Sequence, residues 1–192
     1  MGSPVVQSQG DYLRALDVPS FLERPDVAAF VGPNLDTFKV KWLKDWERTK
    51  GAHKMMKFHW NPMAFVFWFT WFSYRKMWAE FASVTGVFCA AMFLEAWYEQ
   101  HGGNIPDSAF SGMQIVLGFM ATSLYFQRVA RFFYFHPNPT QEQVAQAGGV
   151  SIPGAIAGTI AYLAAIFGTL YIADMIFPVE VIDTTLALNG GA

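Results

Sequence analysis

Three long apolar runs occupy the second half of the chain and constrain its fold more than any other feature. They cover residues 78–98, 109–127 and 152–177. As helices, the first and the last would extend about 31 and 39 Å, and the hydrocarbon core of a bilayer is about 30 Å thick. Charged residues make up only 15% of the 192 residues, whereas ordinary soluble domains carry about 25%. The sequence therefore predicts an all-α integral membrane protein with three transmembrane helices.

A strongly aromatic segment, residues 58–77, precedes the first apolar run. Its uncharged part, residues 62–74, would form about 20 Å of helix, which is shorter than the hydrocarbon core. Basic residues flank it on both sides, with Lys57 before it and Arg75 and Lys76 near its end. Because lysine and arginine favour the cytoplasmic side, we expect an interfacial or re-entrant helix and not a transmembrane helix.

The positions of lysine and arginine also predict the orientation. Seven of the 13 lie between Lys39 and Lys57, and none lies beyond Arg131. This places the N-terminal region in the cytoplasm, and three spans then leave the C-terminus and the polar tail, residues 179–192, in the periplasm. The alternative is a four-helix arrangement in which residues 60–76 cross a locally thinned bilayer. In that case every later loop would be inverted.

The cytoplasmic N-terminal region, residues 1–57, includes a predicted amphipathic helix at about 36–49. Its apolar residues recur at helical spacing, and its opposite face is basic. The apolar residues are Phe38, Trp42, Leu43 and Trp46, and the basic residues are Lys39, Lys41, Lys44 and Arg48. This pattern is typical of a helix that lies on the surface of an anionic leaflet. The alternative is a soluble helix that packs against the rest of the protein. The net charge of the whole chain is −2, so nothing predicts nucleic-acid binding.

Residues at the two ends of the aromatic segment are the candidates for contact with lipids or partner proteins. Arg75 is suited to bidentate contact with phosphate, and the alternative is that Arg75 and Lys76 only anchor the segment at the membrane interface. Glu80 lies four positions after Lys76, a spacing that predicts an ion pair. The full candidate set is Trp60, Asn61, Trp71, Tyr74, Arg75, Lys76 and Glu80.

Two stripes of small residues predict faces for helix packing. Ala82, Gly86 and Ala90 share one face of the first apolar run, and Gly154 and Gly158 form a GxxxG motif in the last. The four histidines show no metal-ligand spacing, and the chain has no P-loop, GxGxxG or GxSxG motif. We therefore expect no metal, no cofactor and no catalytic residues.

Four groups of motifs lie between about residues 27 and 135. They are Phe30-Val-Gly-Pro-Asn34 with Phe38 and Lys41-Trp42, Phe58-His-Trp-Asn61 with Ala64-Phe65, Trp71 with Tyr74-Arg-Lys-Met77, and Gly118 to Tyr125 through Arg131. These motifs resemble those of the DUF2628 family of small bacterial inner-membrane proteins. The chain departs from the family pattern at Thr122 or Ser123, where asparagine is usual. The family has no established activity, so the resemblance implies a location and an architecture and not a reaction.

The expected function is that of a non-enzymatic accessory or scaffold protein of the inner membrane. Its expected partners are anionic lipids of the inner leaflet, other membrane proteins or further copies of the chain. One alternative is an oligomeric transporter or channel-like component whose subunits meet at Gly154 and Gly158. A second is a membrane enzyme acting on lipids, which would need convergent polar groups near Arg75, Lys76 and Glu80.

Overall fold

The computed structural model describes residues 8–49, 59–106 and 108–178, and the predicted polar tail lies outside these residues. The described residues form ten α-helices and contain no β-strand, which confirms the all-helical class. The helices are α1 (Gln9–Ala15), α2 (Val18–Leu22), α3 (Pro25–Val31), α4 (Leu35–Thr49), α5 (Pro62–Val66), α6 (Trp68–Tyr74), α7 (Trp78–Gln100), α8 (Ser108–Phe135), α9 (Gln141–Ala147) and α10 (Ile152–Ile176).

Two stretches of the described chain are long and apolar enough to cross a membrane: α7, and the stretch Gln141–Ile176 that contains α10. In their most apolar windows only 17% and 11% of the residues are buried inside the protein. Large side chains such as Ile156, Ile160 and Phe167 on α10 are exposed instead. Soluble proteins rarely expose continuous apolar surface of this extent, so these two helices indicate association with a membrane.

Helix α8 continues eight residues beyond the predicted transmembrane part, which ends at residue 127. Its last turns are the centre of a helical unit built with α1, α2 and α3. Phe133 is only 1% exposed and makes an edge contact with Phe21, with ring centroids 5.6 Å apart. Phe132 packs on Phe30 at 4.8 Å. Packing against the N-terminal helices therefore continues past Arg128 and Arg131 to the last turn of α8.

The basic helix α4 uses its apolar residues to pack on α8. Phe38 contacts Tyr125 with ring centroids 5.0 Å apart, and Trp42 contacts Phe126 at 5.1 Å. The indole Nε1 of Trp42 also donates a hydrogen bond of 3.2 Å to the Thr122 carbonyl oxygen. Phe38 and Trp42 therefore follow the second alternative for this helix, in which its apolar residues pack against the rest of the protein.

The aromatic segment forms two short helices and not one. Helices α5 and α6 are separated at Phe67, whose φ of −125° and ψ of 44° are not helical. Asn61 caps α5, because its side chain accepts a hydrogen bond from the Ala64 amide, and its own amide donates to the Gly118 carbonyl of α8 at 2.9 Å. The longer helix, α6, has seven residues and extends about 10 Å.

Helix α6 lies against α7 and α10. Trp68 stacks on Phe88 of α7, with ring centroids 4.9 Å apart, and Phe69 stacks on Tyr162 of α10 at 4.3 Å. At the other end of α6, the Tyr74 carbonyl accepts a hydrogen bond of 2.8 Å from Ser151, the residue before α10. Helix α6 is therefore antiparallel to the first turns of α10.

The two stripes of small residues have different surroundings. Gly154 and Gly158 are buried, and α6 fills the space in front of them. A Cβ atom on Gly158 would collide with the Ser73 side chain, and one on Gly154 would lie 2.9 Å from the Ser73 carbonyl oxygen. Ala82, Gly86 and Ala90 are exposed, and a Cβ on Gly86 would meet nothing within 4 Å.

Candidate functional site

A tight turn at the end of α6 positions the only buried arginine of the described chain, Arg75. The amide of Lys76 donates to the Ser73 carbonyl at 3.0 Å, and the amide of Met77 donates to the Phe72 carbonyl at 2.8 Å. These two bonds define a Schellman motif, in which the residue after the C-cap adopts a left-handed conformation. Lys76 adopts it here with a φ of 56°, a position where glycine is usual. Phe72 and Met77 are fully buried and form the apolar contact that accompanies the motif.

Three other helices hold the guanidinium of Arg75, whose residue is 3% exposed. Its Nη1 donates hydrogen bonds to the Val31 carbonyl oxygen of α3 at 3.0 Å and to the Tyr125 hydroxyl of α8 at 3.3 Å. Its central carbon lies 4.9 Å from the ring centroids of both Phe38 and Tyr125. Arg75 thus joins the N-terminal helices to the aromatic segment.

The positive charge of Arg75 has no acidic partner in the described residues, where no carboxylate oxygen lies within 4.0 Å of its nitrogen atoms. Its Nε is buried and has no hydrogen-bond partner. A guanidinium does not lose its proton in proteins, and a buried charge is costly unless it is paired. The carbonyl, the hydroxyl and the aromatic faces compensate part of this cost and leave a site suited to an anion.

A cavity of about 460 Å³ lies beside Arg75. It extends along α6, with Arg75 at the C-cap of the helix (the polar end) and Phe67 at the N-cap (the apolar end). The lining residues are Asn34, Met63, Phe67, Thr70, Trp71, Tyr74 and Arg75. Met63 and Phe67 are 58% and 47% exposed, so the apolar end opens to the surroundings of the protein.

The family comparison covers this site completely. The family model described as "Protein of unknown function (DUF2628)" matches residues 24–131, which is more than half of the chain. The chain belongs to the DUF2628 family. The matched DUF2628 region contains every residue that contacts Arg75 or lines its cavity, whereas α9 and α10 lie outside it. No curated protein and no solved structure matches the chain.

Three of the sequence-predicted candidates meet at the cavity of this DUF2628 protein: Trp71, Tyr74 and Arg75. Trp60 lies elsewhere, against Phe65 and Phe119, and is 43% exposed. Asn61 is used as the cap of α5. The candidates therefore separate into a group around Arg75 and a group that packs α5 on α8.

The predicted ion pair between Lys76 and Glu80 is not formed, which corrects the sequence analysis. The Nζ of Lys76 donates to the carbonyl oxygens of Ala145 and Gln146 at 2.9 and 3.0 Å, where α9 ends and a cation is favourable. The i, i+4 rule applies within a continuous helix, but α6 ends at Tyr74 and α7 begins at Trp78. Glu80 Oε2 is buried without a hydrogen-bond partner.

Sequence reasoning missed Asn34, Phe38 and Tyr125 as parts of this site. All three belong to the stretches that carry the resemblance to DUF2628, so those stretches converge around Arg75. Their position in these motif stretches is the sequence signal that would have identified them. No group of three or more potential metal-ligating side chains occurs within the described ranges.

Proposed function

We propose that this DUF2628 protein is a non-enzymatic accessory or scaffold protein of the bacterial inner membrane. The observation that supports this is the division of the molecule into two parts. Helices α7 and α10 expose apolar side chains along their length, whereas α1 to α4 pack around the second half of α8. A membrane anchor with an attached helical unit fits a protein that binds other components.

Three transmembrane helices complete the proposed arrangement: α7, the first half of α8 and α10. The N-terminal helices are cytoplasmic and the C-terminus is periplasmic, because the basic residues of α4 and the end of α8 belong to one side. Helices α5 and α6 form a re-entrant element that enters from the cytoplasmic side. The break at Phe67 argues against the four-helix alternative, since that alternative requires residues 60–76 to cross the bilayer.

The exposed stripe of Ala82, Gly86 and Ala90 supports a role in contacting another membrane helix, from a partner protein or a second copy of the chain. The alternative of a transporter assembled through Gly154 and Gly158 is less well supported, because α6 occupies that face.

The alternative of a lipid-acting enzyme loses two of its three groups. Lys76 reaches α9, and neither Lys76 nor Glu80 lines the cavity beside Arg75. Anionic lipids of the inner leaflet remain proposed ligands, and the proposal includes no cofactor.

Cysteine labelling in intact cells tests the topology. The chain has one cysteine, Cys89, which is first replaced by serine. Single variants His101→Cys and Glu142→Cys then report the loop after α7 and the exposed helix α9. We expect a membrane-impermeant maleimide to label position 101 in intact cells and position 142 only after permeabilisation. Arg14→Cys in α1 is the control for the cytoplasmic side, and labelling of positions 101 and 142 from the same side would contradict the proposal.

Native mass spectrometry of the protein in mild detergent tests the accessory role. We expect the purified protein to retain lipid, a further copy or a partner protein. A bare monomer without lipid or partner would contradict the proposal, whatever its topology.

A further inference from the structure

We infer that the cavity beside Arg75 binds the phosphate headgroup of one anionic phospholipid from the cytoplasmic leaflet. This deepens the proposed function, because it names the ligand and the site, and it rests on the proposed membrane placement. The observations behind it are the buried unpaired guanidinium, the hydrogen-bonding groups around it and the direction in which the cavity opens.

The guanidinium of Arg75 has an N–H group, at Nε, that could donate a hydrogen bond to an acceptor oxygen of a ligand. Its Nη1 makes both hydrogen bonds to the protein, and its Nε makes none. A phosphate oxygen on the Nε side would satisfy the free N–H and neutralise the charge through a charge-assisted hydrogen bond. Asn34 and Tyr74 line the same cavity and add hydrogen-bonding groups.

The shape of the cavity favours a lipid over a free phosphate ion. The lining residues follow α6, from Arg75 at its C-cap to Phe67 at its N-cap. This helix is about 10 Å long. The cavity thus extends along α6 from Arg75 towards the exposed apolar side chain of Phe67.

An amphiphile matches this arrangement. Its phosphate would lie at Arg75 near the membrane interface, and the upper part of an acyl chain would lie against Met63 and Phe67. Both of these side chains are exposed in the structure, although they are large and apolar. A free phosphate ion would use only the polar end and would leave this apolar wall uncovered.

Lipid retention by the detergent-purified protein, measured by native mass spectrometry, tests the inference. The probes are a phosphatidylglycerol and a phosphatidylcholine with identical acyl chains, mixed in equal amounts. Both lipids carry the phosphate, but the quaternary ammonium of phosphatidylcholine would repel the guanidinium of Arg75. We therefore expect the wild-type protein to prefer the phosphatidylglycerol about tenfold. Arg75→Lys, which keeps the charge but loses the planar fork, and Asn34→Leu should each lose most of this preference.

Lys76→Gln is the matched control. It removes one positive charge at the adjacent position, but Lys76 reaches α9 and does not line the cavity, so this variant should keep the wild-type preference. Arg75 also donates hydrogen bonds to Val31 and Tyr125, so Arg75→Lys could unfold. In that case the lipid preference of Asn34→Leu tests the inference.

Three results would overturn the inference. They are equal retention of the two lipids by the wild-type protein, equal preference in the cavity variants and in Lys76→Gln, and complete displacement of the phosphatidylglycerol by millimolar sodium phosphate. The last result would assign the site to a soluble anion. None of them would alter the cysteine labelling pattern, so failure of this inference is distinguishable from failure of the proposed topology.

Discussion

Arg75 Nη1 lies 3.0 Å from the carbonyl oxygen of Val31 and joins the end of α6 to the end of α3. Val31 is the last residue of α3, so its carbonyl is one of those that no intrahelical N–H can satisfy. The end of a helix also carries partial negative charge. One buried arginine therefore satisfies the C-terminus of α3 and connects the N-terminal helices to the aromatic segment.

Replacing Arg75 with methionine should destabilise this connection. The Val31 carbonyl and the Tyr125 hydroxyl would lose their donor, and a buried polar group without a partner costs about 1–3 kcal/mol. We expect thermal unfolding in detergent, followed by tryptophan fluorescence, to shift to lower temperature. Arg14→Met is the control, because the Arg14 side chain is 77% exposed and its removal should change stability by less than about 0.5 kcal/mol. Equal unfolding temperatures for the two variants would contradict the assigned role of Arg75.

Gly158→Ala tests whether α10 packs on α6 as closely as described. The added methyl group would collide with the Ser73 side chain, and overpacking of this kind costs about 1–3 kcal/mol. Gly168→Ala makes the same change on the same helix, where nothing lies within 4 Å, and should be neutral or stabilising by up to about 1 kcal/mol. The measurement is the difference in unfolding temperature between the two variants. Similar effects at both positions would show that α6 does not occupy this face.

The long apolar helices could be predicted well because their signal is local. The predicted ranges 78–98 and 152–177 differ from α7 and α10 by no more than two residues at any end. Continuous hydropathy determines such helices without reference to the rest of the fold. For α8 the same reasoning gives only the apolar part of the helix, residues 109–127, because Arg128 and Arg131 end the apolar run. The helix continues to Phe135, since α1 to α3 bury its last turns.

The site could be predicted only in part. The sequence indicates that Arg75 matters, but it places the side chain at the membrane surface. Its burial depends on Val31 and Tyr125, which are 44 and 50 positions away along the chain. No periodicity in a single sequence encodes contacts of that separation. The pairing of Lys76 with Glu80 fails for a local reason, because the left-handed residue interrupts the helix that the spacing rule assumes.

Two variants of Lys76 test whether this residue is held in the left-handed conformation. Lys76→Ala and Lys76→Gly both lose the hydrogen bonds from Nζ to α9. Only glycine adopts a φ of 56° without a steric cost. We therefore expect Lys76→Gly to be more stable than Lys76→Ala by about 1 kcal/mol, measured as a difference in unfolding temperature. If alanine were as stable as glycine at this position, the turn after α6 would not be held in the left-handed conformation.

The ion pair between Arg24 and Asp26 should make the stability of the N-terminal helices depend on pH. Arg24 donates to both carboxylate oxygens of Asp26, at 3.0 and 2.6 Å, and this hydrogen bonding lowers the pKa of Asp26 below its ordinary value of 3.8. Because the pKa is lower in the folded state than in the unfolded state, the stabilisation is fully present above about pH 4 to 5. It is lost as the pH falls through the folded pKa.

Unfolding temperatures of the wild-type protein and Asp26→Asn between pH 7 and pH 3 provide the measurement. We expect the wild-type protein to be more stable at pH 7, and the difference to shrink below about pH 4, because protonation of Asp26 removes the interaction that the asparagine variant already lacks. Glu47→Gln changes an exposed residue of α4 away from its N-terminus, keeps the ion pair between Arg24 and Asp26, and is the control that should keep the wild-type loss of stability on acidification. A difference between Asp26→Asn and the wild-type protein that stays constant down to pH 3 would show that the carboxylate charge of Asp26 does not stabilise this unit.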